Sequence, residues 1–514
     1  MLEKLLKGIP FIGMFLFFLL LNPINMFGAK RIVISESNFR TVFSQSGCVY
    51  VVKTAINLKG GEVKIPENSA LKFKRRGKMT NGTVVGAQTK LVGMKNGCLG
   101  VTLKGEWILP TIKDTYFDSS ELTDNQILEN IYTVQSMTLD NIIYLSKPEY
   151  QIVLTSKHKQ GLKLKSNAIL HLNSTLKVVG NDLPQYTVVS AGDNTKILGG
   201  RIIGDVGSHT YVEGTTSQWG FGISISNVKD VTIDGLYVTR CTGDGIYIGG
   251  GIVSDIGDYS QASKNIVLKG ILSDDNRRQG LSITCADGVY VENCTFSNTG
   301  KTESTRPGCG LDIEPNKGQS VRNVTFKNCK FLNNNEILEA SIGGYQSEGE
   351  KCNVEKILLE DCIATGPISV RSGSVILRRC NMETLSIHLA KMPKDKVLIE
   401  NCIIEGGSGV SIRSVGGTTD KDYLPVYTFK DCSIRMNEVL TRSIFSMINH
   451  KGNEVAEFKI ENCELQFPAG SQKFGMVPEK MSCDFDFNNC SIVPSGHSLD
   501  LNKKMFINCR IVNK

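Results

Sequence analysis

The chain has 514 residues and carries 58 Lys and Arg against 51 Asp and Glu, a formal net charge of +7. On so long a chain this is a weak preference for anionic partners, and no dense Lys/Arg run with interleaved aromatic residues occurs, so we expect no nucleic-acid binding. The composition of 51 glycines and only 14 prolines suits short strands joined by tight turns.

The N-terminal segment predicts export from the cytoplasm. Two lysines precede an apolar run from Phe11 to Leu21, and the small residues Gly28 and Ala29 follow, which is the pattern of a signal peptide over residues 1–29. The run is shorter than the roughly 20 residues that cross a bilayer, so we expect no stable membrane insertion after cleavage. An uncleaved anchor is the alternative. The prediction is a secreted or periplasmic protein, with attachment to the cell surface left open.

Residues 30–110 are predicted to form an N-terminal module of short strands. Apolar residues alternate with polar ones at Val63, Ile65, Leu71 and Phe73, and Gly and Asn-Gly turns separate the strands. Residues 111–185 are predicted to hold a capping helix and the first coils. In this helix Asp124 is the expected N-cap, and apolar residues follow it at helical spacing at Ile127, Leu128, Ile131 and Val134.

A phrase with a central cysteine recurs nine times in the second half of the chain, as VENCTF, FKNCKF, LEDCIA and IENCII illustrate. The cysteines are 18 to 35 residues apart and are Cys294, Cys329, Cys362, Cys380, Cys402, Cys432, Cys463, Cys490 and Cys509. A period of this size predicts a solenoid, in which each repeat buries its apolar side against its neighbours.

The repeated cysteines are predicted to form a column inside this solenoid, where a thiol behaves as a small apolar group. Because disulfide geometry is demanding, we expect most of them to stay free. No C-x-x-C pair occurs and the His residues do not cluster with the cysteines, so no zinc site is expected.

A typical unit, VRNVTFKNCKFLNN, predicts a strand with Val324 and Phe326, a corner at Asn328, and a second strand with Cys329 and Phe331. Asn suits the corner because it adopts the left-handed conformation more readily than other residues with a side chain. A third strand has the signature Gly-Φ-x-Φ, where Φ is apolar, at Gly222, Gly245, Gly280 and Gly310. Three short strands per turn predict an all-β fold, a parallel β-helix over residues 186–514.

This frame resembles the right-handed parallel β-helix proteins of the pectate-lyase-like superfamily. The resemblance implies a secreted protein that acts on or binds polysaccharide along the outer face of one sheet. The stretch TGDGIYI is similar to the active-site strand of polygalacturonase-type hydrolases, which have a paired Asp-Asp there and later Gly-His-Gly and Arg-x-Lys motifs. This chain has the single Asp244 and neither later motif. The set GDGIYI, NRRQGLSI and GLDIEPN is more similar to a group of largely uncharacterised bacterial β-helix proteins.

Unusual polar residues concentrate in four consecutive coils, and the later coils show no comparable cluster. If the first apolar residue after each signature glycine points inward, strand alternation places Ser224, Tyr247, Ser282 and Asp312 in one outward column, with Glu314 next along the strand. The predicted catalytic residues are Asp244, Arg278, Asp312 and Glu314. The predicted substrate-binding residues are His209, Trp219, Tyr247, Arg277 and Gln279.

Asp244 and Asp312 are two coils apart, so on the order of 10 Å along the stack. This favours an inverting glycosidase, whose carboxyl groups stand about 6.5–9.5 Å apart, over a retaining one at about 5 Å. A hydrolase would use them as acid and base in an order left open, with Arg277 or Arg278 binding a sugar carboxylate. A lyase would use Arg278 to stabilise an enolate, and Asp312 or Glu314 to hold calcium; otherwise no cofactor is expected.

Each residue also has a purely structural interpretation. His209 can be an ordinary loop histidine, Glu314 before Pro315 can end a strand, Trp219 can cover the stack, and the arginines can pair with Asp312. The predicted function is a secreted protein that cleaves an acidic or decorated polysaccharide in a groove over residues 220–315. The alternative is a non-catalytic glycan-binding or surface β-helix of the tail-spike or adhesin kind.

Overall fold

A computed structural model describes residues 29–253, 258–301, 308–335, 338–343, 353–389, 396–406, 409–414, 424–436, 444–448, 456–467, 483–493 and 506–512. The predicted signal peptide lies outside these residues except for Ala29. In the described part of the chain, no helix has the length and apolar character needed to cross a membrane. The chain divides into one compact unit of Met1–Lys147 with Asn167–Ile169, and a second of Pro148–Ser166 with Leu170–Lys514.

The first unit contains a seven-stranded parallel sheet. Its strands are Arg31–Ile34, Val49–Val52, Ala55–Asn57, Glu62–Lys64, Ala70–Phe73, Lys78–Val92 and Leu99–Ile108. A parallel pair, Thr111–Lys113 and Asn141–Leu145, follows in the chain. The alternating residues Val63, Ile65, Leu71 and Phe73 are all buried, as their pattern predicts.

The predicted helix is present as Asp124–Val134, after a 3-10 turn at Asp114–Tyr116. Its apolar residues are buried, but the N-cap is Thr123 and not Asp124. The Thr123 hydroxyl accepts a bond from the Gln126 backbone N–H, and the Gln126 side chain accepts one from the Thr123 N–H. This capping box satisfies two backbone donors, whereas Asp124 within the first turn favours the helix through its dipole. Buried Asn130 fixes the helix to the strand Leu99–Ile108 by accepting from Leu103 N at 2.8 Å.

The second unit is a parallel β-helix, which confirms the predicted fold. Most coils contribute two strands to a 23-stranded parallel sheet, and Ile363–Val370 and Asn381–Leu389 are single strands that each cover both positions. Its strands are Glu149–Ile152, Gln160–Lys163, Thr175–Val178, Gln185–Ser190, Arg201–Ile203, Trp219–Ser226, Tyr237–Thr239, Asp244–Gly249, Leu272–Asp274, Gln279–Ile283, Thr295–Ser297, Cys309–Ile313, Lys330–Leu332, Ala340–Ile342, Ile363–Val370, Asn381–Leu389, Ile403–Glu405, Val410–Ser414, Ser433–Arg435, Phe445–Ile448, Glu464–Gln466, Ser491–Val493 and Arg510–Ile511.

The third strand of each coil forms a separate ladder. Its strands are Lys196–Leu198, Lys229–Asp234, Ser263–Lys269, Ala286–Glu292, Ser320–Lys327, Asn353–Glu360, Val375–Arg378, Lys396–Glu400, Val426–Lys430, Glu457–Glu461, Asp484–Asn488 and Phe506–Ile507, and Ala168–Leu172 precedes them. The large sheet begins at Glu149, earlier than the residue 186 at which the repeats become legible. The earlier coils lack the cysteine phrase, but the strand Gln160–Lys163 begins the Gly-Φ-x-Φ signature with Gly161 and Leu162, and these coils lie within the residues 111–185 predicted to hold the first coils.

The residue before each repeated cysteine forms a corner with a left-handed backbone. Its φ lies between 51° and 56° in all nine repeats, at Asn293, Asn328, Asp361, Arg379, Asn401, Asp431, Asn462, Asn489 and Asn508. Gly235 and Gly270 hold the same corner in earlier coils, with φ of 70° and 56°. Since this conformation costs an ordinary residue about 1–2 kcal/mol, it explains why Asn and Gly recur there.

The described cysteines are free thiols, and all but Cys509 are buried. In the repeat column each sulfur packs against the backbone of its own and the preceding coil. Cys329 Sγ, for example, lies 3.4 Å from Lys327 O and 3.6 Å from Val291 O. The column is thus part of the core.

Charges of opposite sign alternate from coil to coil where the strands of the third ladder end. The aligned residues are Asp234, Lys269, Glu292, Lys327, Glu360, Arg378, Glu400, Lys430 and Glu461. Arg378 lies 2.9 Å from Glu400 and 3.6 Å from Glu360. Opposite charges facing each other across strands contribute about 0.2–1 kcal/mol per pair, so this series favours the observed register.

Candidate functional site

Four strands from consecutive coils carry most of the predicted site residues. These site strands are Trp219–Ser226, Asp244–Gly249, Gln279–Ile283 and Cys309–Ile313. Their pairing aligns the four inward residues Ile223, Ile246, Leu281 and Leu311, and it places Ser224, Tyr247, Ser282 and Asp312 in the column expected from strand alternation. Asp244 lies opposite Gln279.

The glycine of the Gly-Φ-x-Φ signature is required by close packing at the start of the site strands. A Cβ on Gly280 would lie 2.6 Å from Gly310 O and 3.2 Å from the core side chain of Phe296. The glycine therefore faces the core, as does the apolar residue after it. The residue before the glycine, Asp244 or Gln279, is left to face the outer side of the sheet.

One guanidinium joins the residues predicted to be catalytic. Arg278 Nη1 donates to the two carboxylate oxygens of Asp244 at 3.2 and 3.3 Å and to Gln279 Oε1 at 2.6 Å. Its Nη2 lies 3.8 Å from Glu314 Oε2. Gln279 Nε2 in turn donates to Asp312 Oδ2. Asp244 and Asp312 are therefore linked through Arg278 and Gln279 and do not contact each other within this network.

The network is more deeply buried than the predicted outward column implies. Asp244 and Asp312 are 0% and 1% exposed, whereas the side chains of Glu314 and Arg278 are 32% and 16% exposed. The side chains that bind the two aspartates also cover them. Solvent reaches the network mainly at Glu314, and Asp312 Oδ1 is buried without a hydrogen-bond partner among the described residues.

Burial raises the pKa of Asp244 to about 6, although the adjacent Arg278 opposes the shift. Burial and then the neighbouring Glu314 carboxylate raise the pKa of Asp312 well above its usual range, against the opposing charges of Arg371 and Arg278. This environment therefore favours the protonated form of Asp312 over its carboxylate. A carboxylic acid beside a more exposed carboxyl group is an arrangement that can donate one proton and accept another.

Two predicted binding residues are aromatic and lie on the first two site strands. Tyr247 stacks on Phe221 with ring centroids 4.6 Å apart and 5° between the planes, and its hydroxyl is 3.1 Å from Thr284 Oγ1. Trp219 is 46% exposed where its strand begins, one coil before Asp244. An exposed aromatic face of this kind can receive the apolar face of a sugar ring.

Arg277 and His209 are held in internal contacts. Arg277 Nη1 donates to the carbonyl oxygens of Thr216, Ser217 and Thr242 at 3.1 to 3.2 Å, and the guanidinium lies over the ring of Tyr211. The side chain of His209 has no exposed surface, and its Nδ1 is 2.9 Å from Asp205 Oδ2. The structure thus does not bring these two residues to the accessible part of the network, and they anchor the loop before Trp219.

The later coils carry a row of polar residues that the sequence analysis did not identify. The column of Asp312 continues through Ser341, Ser369, Ser386 and Ser411. Two positions after these serines the chain carries Gly343, Arg371, His388 and Arg413, in step with Glu314. The signal is the recurrence of serine, an apolar residue and then a basic one, as SVR, SIH and SIR. The expectation that later coils hold nothing comparable is therefore wrong.

Within the described residues, no group of three or more His, Cys, Asp or Glu side chains is arranged to hold a metal ion. At the network itself, Arg278 supplies the positive charge between the carboxyl groups. Calcium binding by Asp312 or Glu314 stays a prediction.

Residues 191–355 match the family model described as a right handed beta helix region. The uncharacterized protein YclG of Bacillus subtilis (strain 168) is 28% identical over 256 residues, which are 46% of this chain and 43% of that protein. The SPbeta prophage-derived uncharacterized protein YorA of the same organism is 30% identical over 189 residues, or 34% and 32% of the two chains. The chain thus spans less than half the length of either relative.

Similar solved structures include the catalytic domain of a GH87 alpha-1,3-glucanase in complex with tetrasaccharides, at 12% identity and a TM-score of 0.44, covering 77% of this chain and 67% of that one. The A-module of a mannuronan C-5 epimerase from Azotobacter vinelandii is 12% identical with a TM-score of 0.45, covering 69% and 91%. An endo-xylogalacturonan hydrolase from Aspergillus tubingensis is 12% identical with a TM-score of 0.35, covering 78% and 99%.

Proposed function

We propose that this right-handed parallel β-helix protein hydrolyses an acidic or decorated polysaccharide in a groove along the outer face of the site strands. The observation that carries the proposal is the network in which Asp244, Asp312 and Glu314 surround Arg278, with the pKa of Asp312 raised. Glycoside hydrolysis requires a protonated carboxyl group beside an ionised one, and the raised pKa of Asp312 beside the more exposed Glu314 supports this arrangement.

In the proposed mechanism Asp312 donates its proton to the leaving glycosidic oxygen. Glu314, the more exposed carboxylate, accepts a proton from the attacking water. Asp312 and Glu314 are two positions apart in the chain, and the Glu314 carboxylate is near enough to Asp312 to raise its pKa, which supports their acting on one glycosidic bond. Arg278, held by Asp244, keeps the two carboxyl groups in place, and Trp219 and Tyr247 receive sugar rings.

Hydrolysis is better supported than elimination. Elimination from a uronic acid would need Arg278 to neutralise the carboxylate of the substrate. Its Nη1 is already bonded to Asp244 and Gln279, and its Nη2 faces Glu314. A protonated Asp312 has a direct use in hydrolysis, because it can protonate the leaving group.

The test incubates the purified full chain with polygalacturonate, alginate or a neutral glucan. Each reaction is run once with added calcium and once with a chelator. Reducing ends and the absorbance of unsaturated products are followed together. We expect reducing ends without unsaturated products. Asp312→Asn and Glu314→Gln should each lower the rate by about 100-fold or more, the usual contribution of general acid–base catalysis.

Glu405→Gln is the matched control, because Glu405 is an exposed carboxylate on a different strand, Ile403–Glu405. It should leave the rate unchanged. Full activity of Asp312→Asn would refute the assignment. Unsaturated products that depend on calcium would replace hydrolysis by elimination.

The second candidate is a glycan-binding protein without catalysis. It is favoured by one observation, the almost complete burial of Asp244 and Asp312, which limits their contact with a substrate. Binding of a glycan with no cleavage across the panel would support this function. In either case we propose that the protein acts outside the cytoplasm, and the pattern of residues 1–29 supports this.

A further inference from the structure

Three coils beyond the site strands repeat one arrangement of side chains. Strands Ile363–Val370, Asn381–Leu389 and Val410–Ser414 carry Ser369, Ser386 and Ser411 in one column. Two positions after each serine stands a basic residue, and these form the basic row of Arg371, His388 and Arg413. His388 pairs directly with Arg413 in the sheet, and Arg371 follows Val370, the partner of Ile387.

The basic row is accessible and concentrates positive charge. Arg413 is exposed, and Arg371 and His388 are partly exposed. Of the described carboxylates, none forms an ion pair with His388 or Arg413. Burial, then the charges of Arg371 and Arg413, lower the pKa of His388 to about 4. The three groups are thus close enough to repel one another, and a bound anion would relieve this repulsion.

The serines beside the row provide a second, independent observation. Ser369, Ser386 and Ser411 are 2%, 6% and 4% exposed. Their Oγ atoms have no hydrogen-bond partner within the described part of the chain. A buried hydroxyl left unpaired costs about 1–3 kcal/mol, so these three positions favour a ligand that brings polar groups to them.

We propose that the basic row forms three successive subsites for the negatively charged sugars of a glycan that extends along the stack from the cleavage site. Arg371 and Arg413 offer two cations that are two coils, or about 10 Å, apart along the stack, and His388 between them offers a ring nitrogen for hydrogen bonding, so an extended polyanion can contact all three residues at once. The chemistry recognised is a carboxylate or sulfate carried by each sugar, for which arginine provides charged hydrogen bonds. This inference deepens the proposed function, because it rests on a glycan bound to the same face.

The experiment measures binding of the full chain to short and long fragments of polygalacturonate, alginate and heparin. Fully methyl-esterified polygalacturonate serves as the uncharged match. The variants are Arg371→Gln, Arg413→Gln and the double variant, and the control is Lys330→Gln, which removes an exposed charge from strand Lys330–Leu332. We expect the wild-type chain to bind at least one polyanion, and long fragments more tightly than short ones.

Each arginine substitution should weaken binding of long fragments by about tenfold and reduce its salt dependence. Binding of the esterified polymer and the far-ultraviolet circular dichroism should not change, which separates lost recognition from lost folding. Unchanged affinity in the double variant, equal loss in Lys330→Gln, or no binding of any polyanion by the wild-type chain would overturn the proposal.

The same experiment distinguishes the two proposals. If the double variant loses binding but Glu314→Gln leaves the rate of cleavage unchanged, the proposal for the basic row is supported and the hydrolytic assignment is wrong. If Glu314→Gln abolishes cleavage but the double variant keeps its affinity for polyanions and the dependence of affinity on fragment length, the hydrolytic assignment is supported and the proposal for the basic row is wrong.

Discussion

Arg278 and Arg277 show that a shift of one position along the chain changes all the contacts of an arginine side chain. They are adjacent in the chain, but Arg278 binds the Asp244 carboxylate and Arg277 binds three backbone carbonyl groups. Arg278 is the one described cation that contacts Asp244 by hydrogen bond or ion pair. The buried carboxylate of Asp244 therefore depends on this side chain for compensation of its charge.

Asp244 is predicted to make stability depend on pH. Its pKa rises from 3.8 to about 6 in the folded chain, so the folded state binds the proton more tightly than the unfolded state. This stabilisation is fully present below about pH 4 and is lost as the pH rises through about 6, and it amounts to about 3 kcal/mol. Urea unfolding of wild type and Asp244→Asn between about pH 4 and pH 7 measures it. The difference between the two free energies of unfolding should change across this range, and a constant difference would contradict the prediction.

At the scale of the strand and its corner, the cysteine phrase has a conformational meaning. The corner before Cys402 is formed by Asn401 with φ of 54°. The next residue is buried, and a new strand begins at Ile403. Nine corners of one conformation keep the strands of successive coils in register, and the alternating charges of the third ladder act in the same direction.

Substitution of a corner residue tests this. Asn401→Val should lower the free energy of unfolding by about 1–2 kcal/mol, because a β-branched residue is strained at positive φ, and Asn401→Gly should be tolerated. Asn381→Val is the matched control, since Asn381 is an exposed strand residue that is not at positive φ. Chemical unfolding followed by circular dichroism gives the comparison. Equal stability of the two valine variants would show that the corner carries no strain.

The same elements show what could be predicted from sequence. Corners, inward residues and the alignment of Tyr247 with Asp312 could be predicted, because each depends on a strict local period. Burial of Asp312 could not, since it depends on which side chains bind over it. The basic row was missed because a serine and an isolated arginine look ordinary until the coils are aligned. Thr123 and Asp124 are both good caps, and the choice between them depends on the reciprocal bond from Gln126.

For the molecule as a whole, the cysteine column makes thiol reactivity a measure of intactness. The column cysteines from Cys294 to Cys490 are at most 3% exposed, so a reagent in solution does not reach their thiols in the folded chain. Of the described cysteines, Cys509 alone is partly exposed. Chemistry at this position therefore reports on the last described coil.

Labelling of the native chain with a thiol reagent should be fast at Cys509 and slow at the buried cysteines of the column. Cys509→Ser should remove one equivalent of fast labelling, whereas Cys402→Ser should remove none. Mass spectrometry of the labelled peptides identifies the sites. Fast labelling of Cys402 in the absence of denaturant would show that the column is open to solvent.

Gly343 occupies the coil between Glu314 and the basic row, and this has a consequence for the products of cleavage. This residue lies between Glu314 and Arg371, so the first cation is two coils, or about 10 Å along the stack, from the carboxylate that we propose takes part in cleavage. With the basic row holding the substrate, the bond that breaks lies at a fixed number of sugars from the held segment. Fragments released from that end would share a lower limit of length and would not form a continuous distribution down to single sugars. Insertion or deletion of one coil between Glu314 and the basic row would then change this minimum fragment length in a discrete step.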